Sequence, residues 1–129
     1  MFQLQKKIFL VKQKICIIKK KLEESKFLFQ RNIVFNPKNA ESYLYLAKIF
    51  KTEENQEEEE KNLDTTLLLE PNNEEAIYML INIQLDRSNF DKANTLMDRF
   101  ASVCKKMCNK KKEISKSLQD FEANNAKTN

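Results

Sequence analysis

The chain has 129 residues, with 23 Lys and Arg against 19 Asp and Glu, and it contains no His and no Gly. Without His, the most common general base and the usual partner of a nucleophilic Ser or Cys are missing, and without Gly, phosphate-binding loops and dinucleotide fingerprints are excluded. Because β-turns depend heavily on Gly and Pro and only two Pro are present, the composition predicts an all-α, non-enzymatic protein without a cofactor.

Charge is segregated along the chain. Residues 1–22 contain seven Lys and no acid, residues 53–75 contain ten acids and one Lys, and residues 105–116 contain six Lys and one Glu. No apolar run approaches the roughly 18 residues of a transmembrane helix, and the run at 8–11 is shorter than the core of a signal peptide. Three Cys are too few for a disulfide framework, so we expect a reducing, intracellular and cytoplasmic location.

The N-terminal segment is strongly helical in pattern. Residues 3–35 contain neither Gly nor Pro, and their apolar residues recur at steps of three and four, which places them on one helical face. Two interpretations are open, one long helix or two helices joined by a turn near residues 19–21. We favour the single helix because three consecutive Lys make a poor turn. The face consists of Leu4, Ile8, Val11, Ile15, Ile18, Leu22, Ser25 and Phe29.

The stretch between Pro37 and Pro71, two prolines 34 residues apart, has the pattern helix, acidic turn, helix. Asn39 is placed to cap the first of these helices, which should cover residues 40–50. The stretch resembles a tetratricopeptide repeat (TPR), a helical hairpin of 34 residues. One departure is Glu59, which stands where TPRs have a small residue and so predicts a looser hairpin or a shifted register. The residues that match the TPR pattern are Tyr43, Leu46, Ala47, Phe50, Leu63 and Pro71.

The TPR-like pattern extends in both directions along the chain. Asn73 should cap the first helix of the following hairpin, and Ser88, with Asp91 three residues later, is predicted to cap the second. The resemblance implies a short α-solenoid of antiparallel helical hairpins with long terminal helices. Its segments are a basic N-terminal helix at 1–21, TPR-like repeats at 22–37, 38–71 and 72–104, a capping helix at 105–123 and a frayed tail at 124–129. The capping helix is either a straight extension of the last repeat helix or a separate helix after a bend at Asn109.

The resemblance implies that the chain binds other proteins, as a scaffold, an adaptor or a subunit of a larger assembly. TPR arrays bind extended or helical peptides along the concave face formed by the first helix of each hairpin. The groove positions include Leu, Tyr and Met, and such an apolar, aromatic groove suits an amphipathic helix, although Leu44 and Tyr45 alternatively pack on the preceding repeat. We also expect self-association through the terminal helices and no small-molecule substrate. The groove residues are Glu41, Leu44, Tyr45, Lys48, Tyr78, Met79 and Asn82.

Cys104 and Cys108 lie four residues apart on a predicted helix and raise the question of a metal site. A closed zinc site needs four ligands, and the chain has no His and no CxxC motif to supply the other two. We therefore predict no metal and expect both side chains to pack beside Phe100 and Met107.

The Lys-rich terminal helices leave a second class of function open, a membrane-surface or nucleic-acid-associated protein anchored by these helices. Residues 1–22 combine Lys with bulky apolar residues, as membrane-surface helices do. They contain no Arg, the residue that nucleic-acid readers commonly use to contact bases.

Overall fold

The computed structural model describes residues 1–128 of the chain. These residues form six α-helices and no strands, which confirms the prediction of an all-α fold. Each helix packs against the next one in the chain, and the contacts are most extensive between α2 and α3 and between α4 and α5. The helices are α1 (Phe2–Phe35), α2 (Ala40–Thr52), α3 (Gln56–Leu69), α4 (Glu74–Asp86), α5 (Phe90–Val103) and α6 (Lys110–Thr128).

The two central helix pairs, α2–α3 and α4–α5, repeat at a spacing of 34 residues. Each pair consists of a 13-residue helix followed by a 14-residue helix. The turn within each pair contains one residue in the left-handed region, Glu54 with a φ of 59° and Ser88 with a φ of 57°. All four N-cap residues are Asn, at positions 39, 55, 73 and 89. The repetition therefore includes the caps and turns as well as the helices.

The helix caps confirm two sequence predictions and correct one. The side chains of Asn39 and Asn73 each accept a hydrogen bond from the backbone N–H three residues later, at 2.9 and 3.0 Å. The prediction that Ser88 caps α5 is wrong. An N-cap residue has extended backbone angles, whereas Ser88 is left-handed and lies inside the turn. The turn closes with the Asn89 N–H donating to the Gln84 carbonyl at 2.8 Å, and Asn89 takes the N-cap position.

Helix α4 lies at the centre of the core. It packs against α3 on one side and α5 on the other, and α6 adds the buried side chains of Ile114 and Leu118 to the same cluster. Eight of its 13 residues are buried: Ala76, Ile77, Met79, Leu80, Ile81, Ile83, Gln84 and Leu85.

The N-terminal segment is one continuous helix of 34 residues, so the fused interpretation is the one observed. Only its C-terminal part packs on α2. The Phe29 ring stacks on Tyr45 with centroids 5.0 Å apart. The Lys26 ammonium pairs with the Glu53 carboxylate at 2.9 Å and lies 4.7 Å from the centroid of the Phe50 ring. No residue of α1 is buried.

The segment between α5 and α6 differs from its prediction, because a disulfide joins Cys104 to Cys108 and α5 ends at Val103. The expectations of a helix through both Cys residues and of free thiols are therefore wrong, although Cys104 packs against the core cluster that contains Phe100 as expected. The physical reason is a contact distant in sequence. The backbone N–H groups of residues 105–107 donate to the Glu74 carboxylate at 2.6–3.3 Å, so they are not bonded to carbonyls four residues earlier as a continuing helix requires.

Helix α6 begins five residues later than the predicted capping helix and continues to Thr128, so it includes most of the segment predicted to fray; Asn129 lies outside the described residues. The helix covers the end of the core as expected. Besides its two buried residues, its Phe121 ring packs against Phe90 of α5, with centroids 5.2 Å apart.

Candidate partner-binding site

The groove predicted on α2 and α4 is only partly open. The two helices are linked across this face by the Lys48 ammonium and the Glu75 carboxylate, 2.7 Å apart. Leu44 and Met79, however, are 7% and 5% exposed and belong to the hydrophobic core. These two groove assignments are corrected, because side chains that fill the space between packed helices have no surface left for a partner.

Tyr45 contacts the neighbouring helix α1. It is 40% exposed, and one face of its ring is occupied by the stacked ring of Phe29 at an interplanar angle of 5°. The Lys48 ammonium lies 4.9 Å from the centroid of the same ring. The alternative in which Tyr45 packs on the preceding helix is therefore the one observed, although part of the ring stays accessible.

Tyr78 contacts the C-terminal helices. Its hydroxyl donates to the Glu113 carboxylate of α6 at 3.4 Å, and its ring packs at a tilt against Phe100 of α5, with centroids 6.2 Å apart. Tyr45 and Tyr78 lie 33 residues apart, at neighbouring groove positions of the two helix pairs, and this spacing predicts that they lie side by side. Among residues 1–128 there is no ring contact between Tyr45 and Tyr78, and each packs toward a different terminal helix.

The remaining groove residues are Glu41, which is exposed, and Asn82, which is half-buried. Asn82 lines an open cavity of about 470 Å³ that is bounded by α2, the turn after it, α3 and α4. Asn82 is the one predicted groove residue that lines this cavity. The polar lining consists of Lys51, Glu54, Gln56, Glu59, Asn82 and Asp86.

Glu59 is the unusual residue of this cavity, because it is only 6% exposed. Burial raises the pKa of its carboxyl above the ordinary 4.5; the nearby carboxylates of Asp86 and Glu60 add to this rise, while the cations of Lys51 and Arg87 oppose it. The predicted loosening of the hairpin is not observed, since α2 and α3 form the most extensive helix contact of the described chain. The glutamate is instead accommodated at the edge of the cavity.

One wall of the cavity is held by a polar network between α3 and α4. Gln84, which is 2% exposed, donates through Nε2 to the Glu60 carboxylate at 3.2 Å. Arg87 donates to the other Glu60 oxygen at 2.5 Å and through Nε to Gln56 Oε1 at 3.0 Å. Sequence reasoning did not identify this cavity. The one feature of the sequence that could have indicated the cavity is Glu59, at a position where TPRs typically have a small residue.

A second candidate surface is the N-terminal part of α1. Residues 1–21 are all exposed, whereas the partly buried residues of α1 lie between Leu22 and Ile33. The face that packs on α2 through Phe29 continues towards the N-terminus without a covering helix. The exposed large apolar side chains of this part are Met1, Phe2, Leu4, Ile8, Phe9, Leu10, Val11, Ile15, Ile17 and Ile18.

Within residues 1–128, no group of three or more His, Cys, Asp or Glu side chains is arranged to hold a metal ion. None of the helices in this part of the chain has the length and apolar character needed to cross a membrane. The chain matches no model of a known protein family and no curated protein.

Proposed function

We propose that the chain is a non-catalytic protein-interaction module, built from TPR-like helical hairpins, that binds a helix of a partner protein. The TPR-like arrangement is supported by the 34-residue repetition of helix lengths, Asn caps and left-handed turn residues in the two central pairs. A short α-solenoid with a capping helix after the last pair fits the packing of each helix on the next.

The observation that carries the proposed function is the exposure of the apolar N-terminal part of α1. These 21 residues extend for about 30 Å at the helical rise per residue. Apolar side chains with no covering element are exposed along this length, and exposed apolar patches of this kind mark interaction surfaces. The stripe Leu4, Ile8, Val11, Ile15 and Ile18 has the spacing at which one helix packs on another.

The charges of this segment define the partner. Seven Lys and no acid lie within residues 1–21, so a complementary helix carries an apolar stripe flanked by Glu and Asp. A second copy of α1 is disfavoured as the occupant because pairing would bring two seven-lysine segments together. On the concave face, Tyr45 contacts Phe29 of α1 and Lys48 lies beside the Tyr45 ring, so their accessible parts extend the surface open to the same partner.

A membrane-surface role is the second candidate, favoured by the combination of exposed Phe and Ile side chains with Lys in residues 1–21. Membrane-surface helices place their cations on the face opposite the apolar one. In α1 the lysines lie outside the sector of the Leu4–Ile18 stripe at 100° per residue, but the exposed side chains of Phe9, Leu10 and Ile17 lie among them, so the apolar residues are not confined to one face. This distribution favours the protein partner.

Fluorescence anisotropy tests the proposal with a labelled, synthetic 21-residue acidic helix that has Leu at heptad positions a and d and Glu at positions e and g. The double variant Val11→Ser with Ile15→Ser should weaken the binding of this acidic helix at least tenfold, which is a loss of about 1.4 kcal/mol of binding free energy. The matched control, Leu10→Ser with Ile17→Ser, changes another side of the same helix and should stay within twofold. Circular dichroism checks that both variants keep their helicity.

Equal weakening by the two double variants would reject the Val11–Ile15 stripe as the binding face. Vesicles containing 30% phosphatidylserine form a second arm of the experiment. If the chain binds these vesicles and not the acidic helix, the protein-partner proposal fails and the membrane role replaces it. Sedimentation of the chain alone tests whether a second copy of the chain covers this surface. A dimer that the double variant Val11→Ser with Ile15→Ser abolishes would also contradict the proposal.

A further inference from the structure

The connection between α5 and α6 is held in its observed form by two constraints. The first is the disulfide between Cys104 and Cys108, which closes a short loop. The second is Glu74, at the start of α4, whose carboxylate accepts from the backbone N–H groups of residues 105–107 at 2.6–3.3 Å. Both constraints act on the same residues, and both keep them out of a helix.

The amino-acid sequence of this connection otherwise favours a longer α5. Neither Gly nor Pro occurs after residue 71, and the Lys and Met residues at positions 105–107 are good helix formers. Apolar side chains also continue at helical steps of three and four, and each of them lies in the core cluster or packs against it. These side chains are Met97, Phe100, Cys104 and Met107.

A helix through both Cys residues and the disulfide exclude each other. In a regular α-helix the Cβ atoms of residues i and i+4 are about 5–6 Å apart, whereas a disulfide requires a Cβ–Cβ distance of about 3.5–4.5 Å. The bond between Cys104 and Cys108 therefore forms only when this segment leaves the helical conformation, as it does here. Once the bond is broken, the N–H groups of residues 105–107 can donate to the carbonyls four residues earlier instead of to Glu74.

The length of this connection determines where α6 can lie. The ring of Phe121 in α6 packs against Phe90, the first residue of α5, so α6 runs back along α5 and the chain reverses its direction within residues 104–109. If α5 continued to Cys108, Asn109 alone would remain for this reversal. Connections between packed helices usually have roughly two to eight residues. A longer α5 therefore requires α6 to leave its position on the core.

We propose that the Cys104–Cys108 disulfide is a redox switch that keeps α6 docked, and that a dithiol reductant opens it. A thiolate of the reductant attacks one sulfur, the S–S bond breaks and the other Cys leaves as a thiolate. The second thiol of the reductant then breaks the mixed disulfide and becomes the disulfide partner. Both Cys residues end as thiols, with the two protons that the reductant gave up.

The disulfide is placed where a reductant can reach it. Both Cys residues are half-buried, and Cys104 lines an open cavity of about 740 Å³ between the connection and the start of α4. In a reducing compartment, which the sequence predicts, disulfides are usually redox-sensing or catalytic and seldom structural. The opened switch exposes the surface that α6 covers, including Tyr78 and Phe90. This surface is separate from α1, so the inference goes beyond the proposed function and does not depend on it.

The test compares the oxidised and the reduced full chain in a Cys16→Ser background, because Cys16 is an exposed free thiol. The chain is equilibrated with mixtures of reduced and oxidised dithiothreitol, and alkylation followed by mass spectrometry gives the reduced fraction. On reduction, the NMR chemical shifts of the Cα atoms of residues 104–108 should move to helical values. Hydrogen exchange of residues 110–121 should become about tenfold faster, because α6 loses its packing.

Two variants serve as controls. The double variant Cys104→Ser with Cys108→Ser cannot form the bond, so it should show the helical Cα shifts both with and without dithiothreitol. Glu74→Gln should accelerate hydrogen exchange at residues 105–107 in the oxidised chain only, because these N–H groups no longer bind residue 74 after reduction.

Three results would overturn the proposal. The first is a reduced chain whose residues 104–108 keep their non-helical shifts or whose α6 exchanges as slowly as before. The second is faster exchange in α2, α3 and α4 to the same extent as in α6, because the disulfide would then stabilise the whole fold. The third is a chain that forms no disulfide in any of the dithiothreitol mixtures. None of these results involves α1, so they are distinguishable from failure of the acidic-helix experiment.

Discussion

Helices α1 and α4 both carry apolar residues at helical spacing, yet their environments are opposite. Eight of the 13 residues of α4 are buried, and none of the 34 residues of α1 is. Helix α4 lies between α3 and α5, with α6 contacting it at Tyr78, whereas α1 contacts α2 only along its C-terminal part. The comparison teaches that the spacing of apolar residues determines which face of a helix can be buried. The number of neighbouring helices determines whether that face is buried.

The largest expected effect comes from the same substitution made in both helices. Ile81 in α4 is 0% exposed and Ile15 in α1 is 46% exposed. Ile81→Ala should lower the free energy of unfolding by about 2–5 kcal/mol, because it leaves a cavity in the core. Ile15→Ala should change it by less than about 0.5 kcal/mol. Urea denaturation at two protein concentrations measures the free energy of unfolding of both variants. If Ile15→Ala lost stability in a concentration-dependent way, α1 would be covered by a second copy of the chain.

A smaller effect is expected at the first turn of α4, where Glu74 holds the loop closed by Cys104 and Cys108. Glu74→Gln should cost about 1–3 kcal/mol, since hydrogen bonds to a charged acceptor are replaced by weaker ones. The matched control is Glu75→Gln, which removes a partly exposed ion pair with Lys48 and should cost at most about 1 kcal/mol.

The stabilisation by Glu74 should decrease at acidic pH. The backbone N–H of Lys105, together with those of Lys106 and Met107, lowers the pKa of the Glu74 carboxyl below its ordinary value of 4.5. The stabilisation by ionised Glu74 is therefore fully present above pH 4.5 and is lost as the pH falls through the lowered pKa. The stability difference between the wild type and Glu74→Gln should shrink over that acidic range. A difference that stays constant there would contradict the role of the ionised carboxylate.

The smallest expected effect tests the one place where α1 is held. Phe29→Ala removes the ring stacked on Tyr45 and should cost about 1 kcal/mol. Phe27→Ala, on another side of α1 and 64% exposed, should cost less than about 0.5 kcal/mol. Hydrogen exchange of residues 22–35 should become faster in Phe29→Ala only. Equal exchange in the two variants would show that the α1–α2 contact does not depend on this stack.

The central part of the fold was predictable because its signals are local. An Asn side chain caps a helix by bonding to the backbone three residues later, so the positions of Asn39 and Asn73 were sufficient to place the starts of α2 and α4. The 34-residue spacing of the two helix pairs follows from the same kind of short-range pattern. Ser88 was misassigned by one residue because a Ser and an Asn stand side by side, and only the backbone angles of the turn separate the two candidates.

The candidate site was predicted less well than the helices that form it. Leu44 and Met79 lie on the predicted helices but are buried, and Tyr45 and Tyr78 contact α1 and α6. Exposure depends on which terminal helix lies over a given face, and the spacing of apolar residues within a terminal helix does not specify the face on which it docks. The cavity around Glu59 was missed for a related reason, since its walls come from three separate segments of the chain.

The sequence by itself determined the all-α fold, the starts of α2 and α4 and the 34-residue spacing, because caps, turns and apolar spacing act over a few residues. Only the tertiary structure decided where α5 ends, since the Glu74 carboxylate that binds the backbone of residues 105–107 lies more than 30 residues away in the chain. It also decided that Glu59 is buried while Ile15 is exposed. Burial is a property of the neighbouring helices that surround a side chain, and the side chain's own segment does not encode them.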